Sequence, residues 1–217
     1  MYLGNDNQGL VSSDGTLKIW DVNTYQEIRT LSDSDCDDVT CCVANAKHII
    51  SGSYDNIVRL WCFHKGELLS CFEGHGDTIS SVTVIDDGSK ALSGSDDGTF
   101  RVWNLGTSVH MKQDRSRGHS EEVSDIAVTR DGSRCVSASW DGTLKVWDCH
   151  AGKECFTLTG LKGVPQNVAI AADDRHFVTL SEDVNCLSIK VLNVPIPGRQ
   201  MQFLAEKSKE LSCFQSC

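Results

Sequence analysis

The stretch from Ser93 to Trp103, "SGSDDGTFRVW", returns as "SASWDGTLKVW" at Ser137 to Trp147. It stands earlier as "SGSYDNIVRLW" at Ser51 to Trp61, and in clipped form as "SSDGTLKIWD" at Ser12 to Asp21. The closing residues Trp20, Trp61, Trp103 and Trp147 are separated by 41, 42 and 44 positions. A fifth, worn copy, "TLSEDVNCLSIKVLNV", keeps Asp183 in the turn and places Val191 another 44 residues after Trp147. Self-similarity at this period marks a repeat architecture, in which each unit is too small to bury its own apolar surface and stacks on its neighbours.

Within a period the pattern is that of strands. "TFRVW" and "TLKVW" alternate and are rich in β-formers, while "KALSG" and "RCVSA" are short apolar runs. Turn signals separate them: Asp87-Gly88, Asp97-Gly98, Asp131-Gly132, Asp141-Gly142 and Gly106. No segment sustains a helical period. Each unit is therefore expected to hold about four short antiparallel strands. Such a sheet is apolar on both faces, and radial stacking of the units gives a β-propeller.

Two units carry a fuller set. Gly74-His75, Ser93, Asp97 and Trp103 are matched by Gly118-His119, Ser137, Asp141 and Trp147, with the same spacings of 18, 4 and 6 residues from His to Ser to Asp to Trp. In these features the chain resembles the WD-repeat family of propellers over about residues 10–205. The resemblance implies an all-β, WD40-type β-propeller with about five four-stranded blades, read as repeats 13–31, 32–73, 74–117, 118–159 and 160–205. Residues 1–12 are expected as a partial strand or N-terminal stub, with Leu10 and Val11 as the stub of a second strand, and 206–217 as a tail or the start of a further blade. The other units depart from the pattern. Asp35 falls in the His slot of the second; the fifth has Thr179 and Asp183 but Leu161 for His; the first begins too late to own a His. Because the family usually has about seven blades, an incomplete propeller is expected. The alternative is a small closed ring in which Leu211 to Phe214 completes the first blade.

His, Ser and Asp together suggest a hydrolase. A catalytic constellation occurs once, however, and this one occurs twice at identical spacing beside a Trp. The resemblance implies a buried structural network of His75, Ser93, Asp97 and Trp103, repeated as His119, Ser137, Asp141 and Trp147. No enzyme activity is expected. Gly152-Lys153 lacks the preceding glycine of a phosphate loop. Cys149, His150 and Cys155 lack a second half at metal-ligand spacing. Neither cofactor nor metal is expected. The recurring bases Lys18, Arg59, Arg101, Lys145 and Lys190 are read as stems packed between blades rather than as a binding stripe.

A formal charge of -10 and a pI near 5.0 set the chain against phosphate backbones, so nucleic acid is not expected as a partner. No apolar run has the length of a membrane span, and the N-terminus has no basic start followed by an apolar stretch. The 11 cysteines are odd in number and several sit at apolar strand positions. A reducing compartment, the cytoplasm or alternatively the nucleus, is expected.

Function is expected where loops converge. The turn after the second strand and the loop before the first share one end of a blade, the top. The outward residues of those turns are Tyr54, Asp96, Trp140 and Glu182, and the loops add Asp37, Asp38, Asp77, Thr78, Glu121 and Glu122. Exposed Trp140 and Tyr54 are candidate contact residues, set against the plainer reading that either ring folds over a neighbouring loop. The carboxylates form either a solvated rim or a negative field that steers a basic peptide or protein. The expected function is a protein-interaction scaffold, with self-association if the ring is open. An alternative is a regulatory propeller of a NACHT-type signalling ATPase, suggested by "VTRDGSRCVSASWDGTLKVWD" and "DRHFVTLSEDVNCLSIKVLNV".

Overall fold

A computed structural model describes residues 2–3, 9–13, 15–33, 37–85, 88–106, 110–111, 118–161, 163–183, 186–193 and 209–210, with side chains for 15–33, 37–85, 88–106, 118–161 and 163–181. The described elements are all strands, and they form five four-stranded antiparallel meanders. The first sheet joins β1 (Tyr2–Leu3), β2 (Gly9–Ser13), β3 (Leu17–Asp21) and β4 (Glu27–Leu31). The second joins β5 (Val39–Ala44), β6 (His48–Ser53), β7 (Val58–Cys62) and β8 (Leu68–Phe72). The third joins β9 (Ile79–Val84), β10 (Lys90–Ser95), β11 (Phe100–Asn104) and β12 (His110–Met111). The fourth joins β13 (Val123–Val128), β14 (Arg134–Ser139), β15 (Leu144–Asp148) and β16 (Lys153–Leu158). The fifth joins β17 (Val164–Ile170), β18 (His176–Asp183), β19 (Cys186–Asn193) and β20 (Lys209–Glu210).

Two outcomes differ from the expected ends. Leu10 and Val11 lie in the second strand of the first sheet, as the partial strand over 1–12 implies, and Tyr2–Leu3 pairs with it as a first strand that was not expected. Lys209–Glu210, within the segment read as a tail or the start of a further blade, pairs with β19 as the outer strand of the fifth. The worn copy also differs in register. Lys190 pairs with Thr179 as Lys145 pairs with Ser137, so the Trp slot falls on Leu192 rather than Val191. Thr179 to Lys190 spans 11 residues where Ser137 to Lys145 spans 8, and the three extra residues lengthen the β18–β19 hairpin, which pairs out to Asp183 and Cys186. Leu211 to Phe214 lies outside the described residues.

Consecutive sheets pack face to face, with the inner strands β5, β9, β13 and β17 side by side. Among the described residues the core consists of four clusters, one in each gap between consecutive sheets. In the gap between the second and third sheets, Ile50, Val58, Leu60 and Phe72 meet Ile79, Val82 and Trp103. In the next, Leu92, Phe100 and Val102 meet Val123, Ile126 and Trp147. The indoles rest on aromatics of the preceding sheet, Trp103 on Phe72 at 5.5 Å and Trp147 on Phe100 at 4.7 Å between centroids. A fully buried indole withdraws on the order of 200 Å² from water, roughly 5 kcal/mol of driving force.

A hydroxyl device repeats at the seams. Each inner strand carries a bulge near its start, and Thr40, Ser80 and Ser124 occupy the bulge position. Their hydroxyls donate to the carbonyls of Ile79, Val123 and Pro165 on the following sheet. Asp125 adds a clamp, accepting from Ser81 Oγ at 2.8 Å on one side and from the Val168 N–H at 3.0 Å on the other. Close approach of the strands also demands small residues. A Cβ built on Gly94 would lie 2.6 Å from Val123 Cγ1 and 3.0 Å from Ile126 Cδ1.

Gly94→Ala therefore forces the third and fourth sheets apart. The expected loss is roughly 1–3 kcal/mol, the usual range for overpacking a core, read as a lower urea midpoint. An unchanged midpoint would mean that this gap relaxes freely.

Candidate top-face interaction site

The top face is built on a hydrogen-bonded frame in each sheet. In the third sheet, Trp103 Nε1 donates to Ser93 Oγ at 2.7 Å and His75 Nε2 lies 2.8 Å from the same oxygen. His75 Nδ1 faces Asp97 Oδ2 at 3.2 Å, and Asp97 accepts from the Gly76 N–H at 2.8 Å and Thr99 Oγ1 at 2.6 Å. The fourth sheet repeats the set. Trp147 reaches Ser137 at 2.8 Å, His119 lies 2.7 Å from Ser137 and 2.9 Å from Asp141, and Thr143 donates to Asp141 at 2.6 Å. A hydroxyl that accepts from an indole has its own proton to give, so Ser donates to Nε2 and the Nδ1–H tautomer donates to Asp. Ser93 and Ser137 have no exposed surface. A serine so enclosed and so bonded offers no substrate a path.

Electrostatics agree with a neutral ring. Burial pushes His75 and His119 below their ordinary value of 6.5, against the pull of Asp97 and Asp141. For Asp97, burial acts upward but is outweighed by hydrogen bonds from His75, Thr99 and Gly76, leaving the carboxyl well below its ordinary range. The same balance holds Asp141 down.

The second sheet solves the same problem differently. Trp61 still donates to Ser51 at 2.9 Å, but among the described residues no His bonds to that serine. Arg59, with 1% of its surface exposed, binds Asp33 through Nε at 2.9 Å, Asp55 through Nη2 at 2.8 Å and Ser53 through Nη1 at 3.0 Å. Asp35, expected in the His slot, lies outside the described residues, and Asp33 supplies the described carboxylate. In the fifth sheet Leu161 packs in the apolar cluster, and Thr179 donates to the Asn167 carbonyl at 3.0 Å. Sequence reading missed Asp33 and the role of Thr99 and Thr143, although the recurrent Asp-Gly-Thr was visible. Lys145, read as a stem between blades, binds Glu154 at 2.8 Å and lies 5.9 Å over the Trp147 ring.

On this frame each loop is sewn to the turn of its own sheet. The Tyr54 N–H donates to the Asp38 carbonyl at 3.2 Å, the Asp96 N–H to Thr78 at 3.0 Å, and the Trp140 N–H to Glu122 at 3.0 Å. The turns need a left-handed residue, and Asn56, Gly98 and Gly142 supply it at φ of 69°, 75° and 77°. Trp140 is 50% exposed and Tyr54 60% exposed. Asp37, Asp38, Asp77, Glu121 and Glu122 are exposed, while Asp96 and Thr78 are half-buried. Burial raises the Asp96 carboxyl first, and Glu122 of the following sheet and Asp77 add to it. The structure thus brings Asp77, Asp96 and Glu122 into one field across the third seam. The side chain of Glu182 lies outside the described ones.

The network carries two testable consequences. His119→Ala removes the ring between Ser137 and Asp141, leaving the buried Ser137 hydroxyl proton without its acceptor and Asp141 with one donor fewer, for an expected loss of roughly 1–3 kcal/mol in a thermal melt. The histidines also link stability to pH. Their folded values lie below 6.5, so the unfolded chain takes up protons first as pH falls. Stability is full above about pH 6.5, declines below it, and declines again below the ordinary Asp value of 3.8 as Asp97 and Asp141 protonate. A melting temperature flat from pH 7.5 to roughly pH 5 would contradict the neutral-ring assignment.

Comparison with known proteins places this architecture. The family model described as "WD domain, G-beta repeat" matches residues 25–62, 66–104 and 111–148, more than half of the chain. The chain is similar to the guanine nucleotide-binding protein subunit beta of Zea mays, with 32% identity over 126 residues. That alignment covers 54% of this chain and 33% of the relative. It is similar also to WD repeat-containing protein 37 of Homo sapiens, with 32% identity over 108 residues, 48% of this chain and 22% of the relative. The chain thus aligns with a third or less of the length of these curated relatives. Three matched repeats, four-stranded antiparallel sheets and the Trp–Ser–His–Asp frame agree: the chain belongs to the WD-repeat family of β-propeller proteins.

Proposed function

We propose that the chain is a protein-interaction scaffold whose top-face loops bind a basic segment of a partner protein. The observation that carries this reading is Trp140. Half of its surface is in solvent, on a turn held by the buried network beneath it. A large ring on a rigid turn loses little entropy on contact and is a typical hot spot. The raised Asp96 carboxyl, with Glu122 and Asp77 beside it, marks a concentration of negative charge that an Arg or Lys side chain would relieve. Tyr54, Asp37 and Asp38 extend the surface over the second sheet, and Thr78, Glu121 and Glu182 complete the set. Buried free thiols at Cys135 and Cys149 support a reducing compartment, and we place the protein in the cytoplasm. Self-association through the end faces of the row is a further part of this reading.

The test is titration calorimetry with an Arg/Lys-rich probe peptide, followed by affinity capture. Trp140→Ala should weaken binding about tenfold, or ~1.4 kcal/mol, with the thermal melt unchanged. Glu122→Gln should weaken it less and reduce its salt dependence. Equal affinity in the Trp140 variant would remove this turn from the contact surface.

A further inference from the structure

The turns between the third and fourth strands of a sheet share one geometry. In the second and fourth sheets the turn closes on a glycine. The Gly66 N–H donates to the Cys62 carbonyl at 2.7 Å, and the Gly152 N–H to that of Asp148 at 2.9 Å. Both glycines are left-handed, at φ of 70° and 62°. In the first sheet the same bond runs from the Tyr25 N–H to the Asp21 carbonyl at 2.8 Å, and Tyr25 takes the left-handed position at φ of 56°. The other described non-glycine residues with positive φ are Asn56 and Asp174, types that tolerate it; a tyrosine there is strained. The ring gains little packing in return. It is 82% exposed, the most of any large hydrophobic side chain described.

From this turn the chain continues as β4, the outer strand, which pairs with β3 on one edge and with no described strand on the other. Three residues after Tyr25 stands Ile28, the extra residue of the β3–β4 bulge, 54% exposed. That exposure belongs to the position. Leu69 occupies the matching bulge of β8, in a sheet packed on both sides, and is 47% exposed. Between the two lie Gln26 and Glu27, and Glu27 is bound to Lys18 at 3.6 Å and Thr30 at 2.6 Å. An extended segment thus presents a phenol and, about 10 Å further along, an aliphatic side chain. Tyr54 lacks this arrangement, because Ile57 three residues on is half-buried and Asp55 is paired with Arg59.

We propose that Tyr25 is a phosphorylation site and that residues 25–28, once modified, are read by a phosphotyrosine-binding module of the SH2 type. A tyrosine kinase transfers the γ-phosphoryl group of ATP to Tyr25 Oη. The γ-phosphorus forms a bond to Oη, its bond to the bridging oxygen of the departing ADP breaks, and the phenolic proton passes to the kinase's carboxylate base. The product carries close to two negative charges on a side chain that stands clear of the surface. An arginine cluster of the module binds the phosphate through charge-assisted hydrogen bonds, and an apolar slot takes Ile28. The strained backbone, the bare ring and the exposed isoleucine, each unhelpful to folding, then serve one contact. The turn lies at the end of the sheet opposite the top-face loops, so this surface is separate from that of Trp140.

The test uses the full folded chain, incubated with a recombinant tyrosine kinase and ATP, with the modified residues mapped by mass spectrometry. Phosphate should appear on Tyr25 ahead of Tyr54. Titration calorimetry then measures binding to a recombinant SH2 domain that takes an aliphatic side chain three residues after phosphotyrosine. The phosphorylated chain should bind, while the unmodified chain and kinase-treated Tyr25→Phe should not. Phosphorylated Ile28→Ser should bind about tenfold more weakly. Trp140→Ala should bind as the unaltered chain does, which separates failure here from failure of the top-face reading. Tyr25→Gly is a check that needs no partner: it relieves the left-handed strain and should raise the melting temperature by roughly 1–3 °C. Absence of phosphate from Tyr25, no binding by the phosphorylated chain, equal affinity in the Ile28 variant, or a lower melting temperature in Tyr25→Gly overturns the proposal.

Discussion

A four-stranded sheet with apolar side chains on both faces cannot stand alone in water, and the rest of this structure depends on that constraint. Each interior sheet is covered twice, and the covering residues come from the same positions each time. Trp103 and Trp147 have the largest fully buried side chains, and each lies on an aromatic of the preceding sheet. The indole N–H would be costly if left bare in such a place. Its bond to Ser93 or Ser137 therefore belongs to the packing as much as to the polar network.

From that bond the polar frame extends outward to the surface. Ser orders His, His orders Asp, and Asp fixes the turn by accepting backbone N–H groups from the loop and the turn. Buried packing is in this way connected to the position of Asp96 and Trp140 at the rim. The second sheet reaches the same end with Arg59 held between Asp33 and Asp55. An ion pair in place of a neutral His is a larger desolvation burden, offset by three partners for the guanidinium. The fifth sheet abandons the network, and its hairpin continues as paired strand to Asp183.

The inner strands show a quieter regularity. In β5, β9 and β13 a bulge near the start lets one hydroxyl bond to the next sheet, at Thr40, Ser80 and Ser124. This arrangement ties sheets by directional bonds that the apolar contact cannot supply. Asp125 acts similarly, bound to the sheets on either side of its own.

Repeat spacing, strand content, turn positions and the two complete His–Ser–Asp–Trp sets were legible in the linear chain, because each depends on local pattern: alternation, Asp-Gly turns and a period longer than any single element. The exposed turn residues Tyr54 and Trp140 were legible for the same reason, since the turn fixes their direction. What lay beyond sequence were relations between segments. The choice of Asp33 as a partner of Arg59, the slip that puts Leu192 in the Trp slot, and the hydroxyl seams depend on the register of one strand against another. The crowding of Asp77, Asp96 and Glu122 depends on the distance between neighbouring sheets. Register and inter-sheet distance are set by packing of side chains far apart in the chain, so only the tertiary structure decides them.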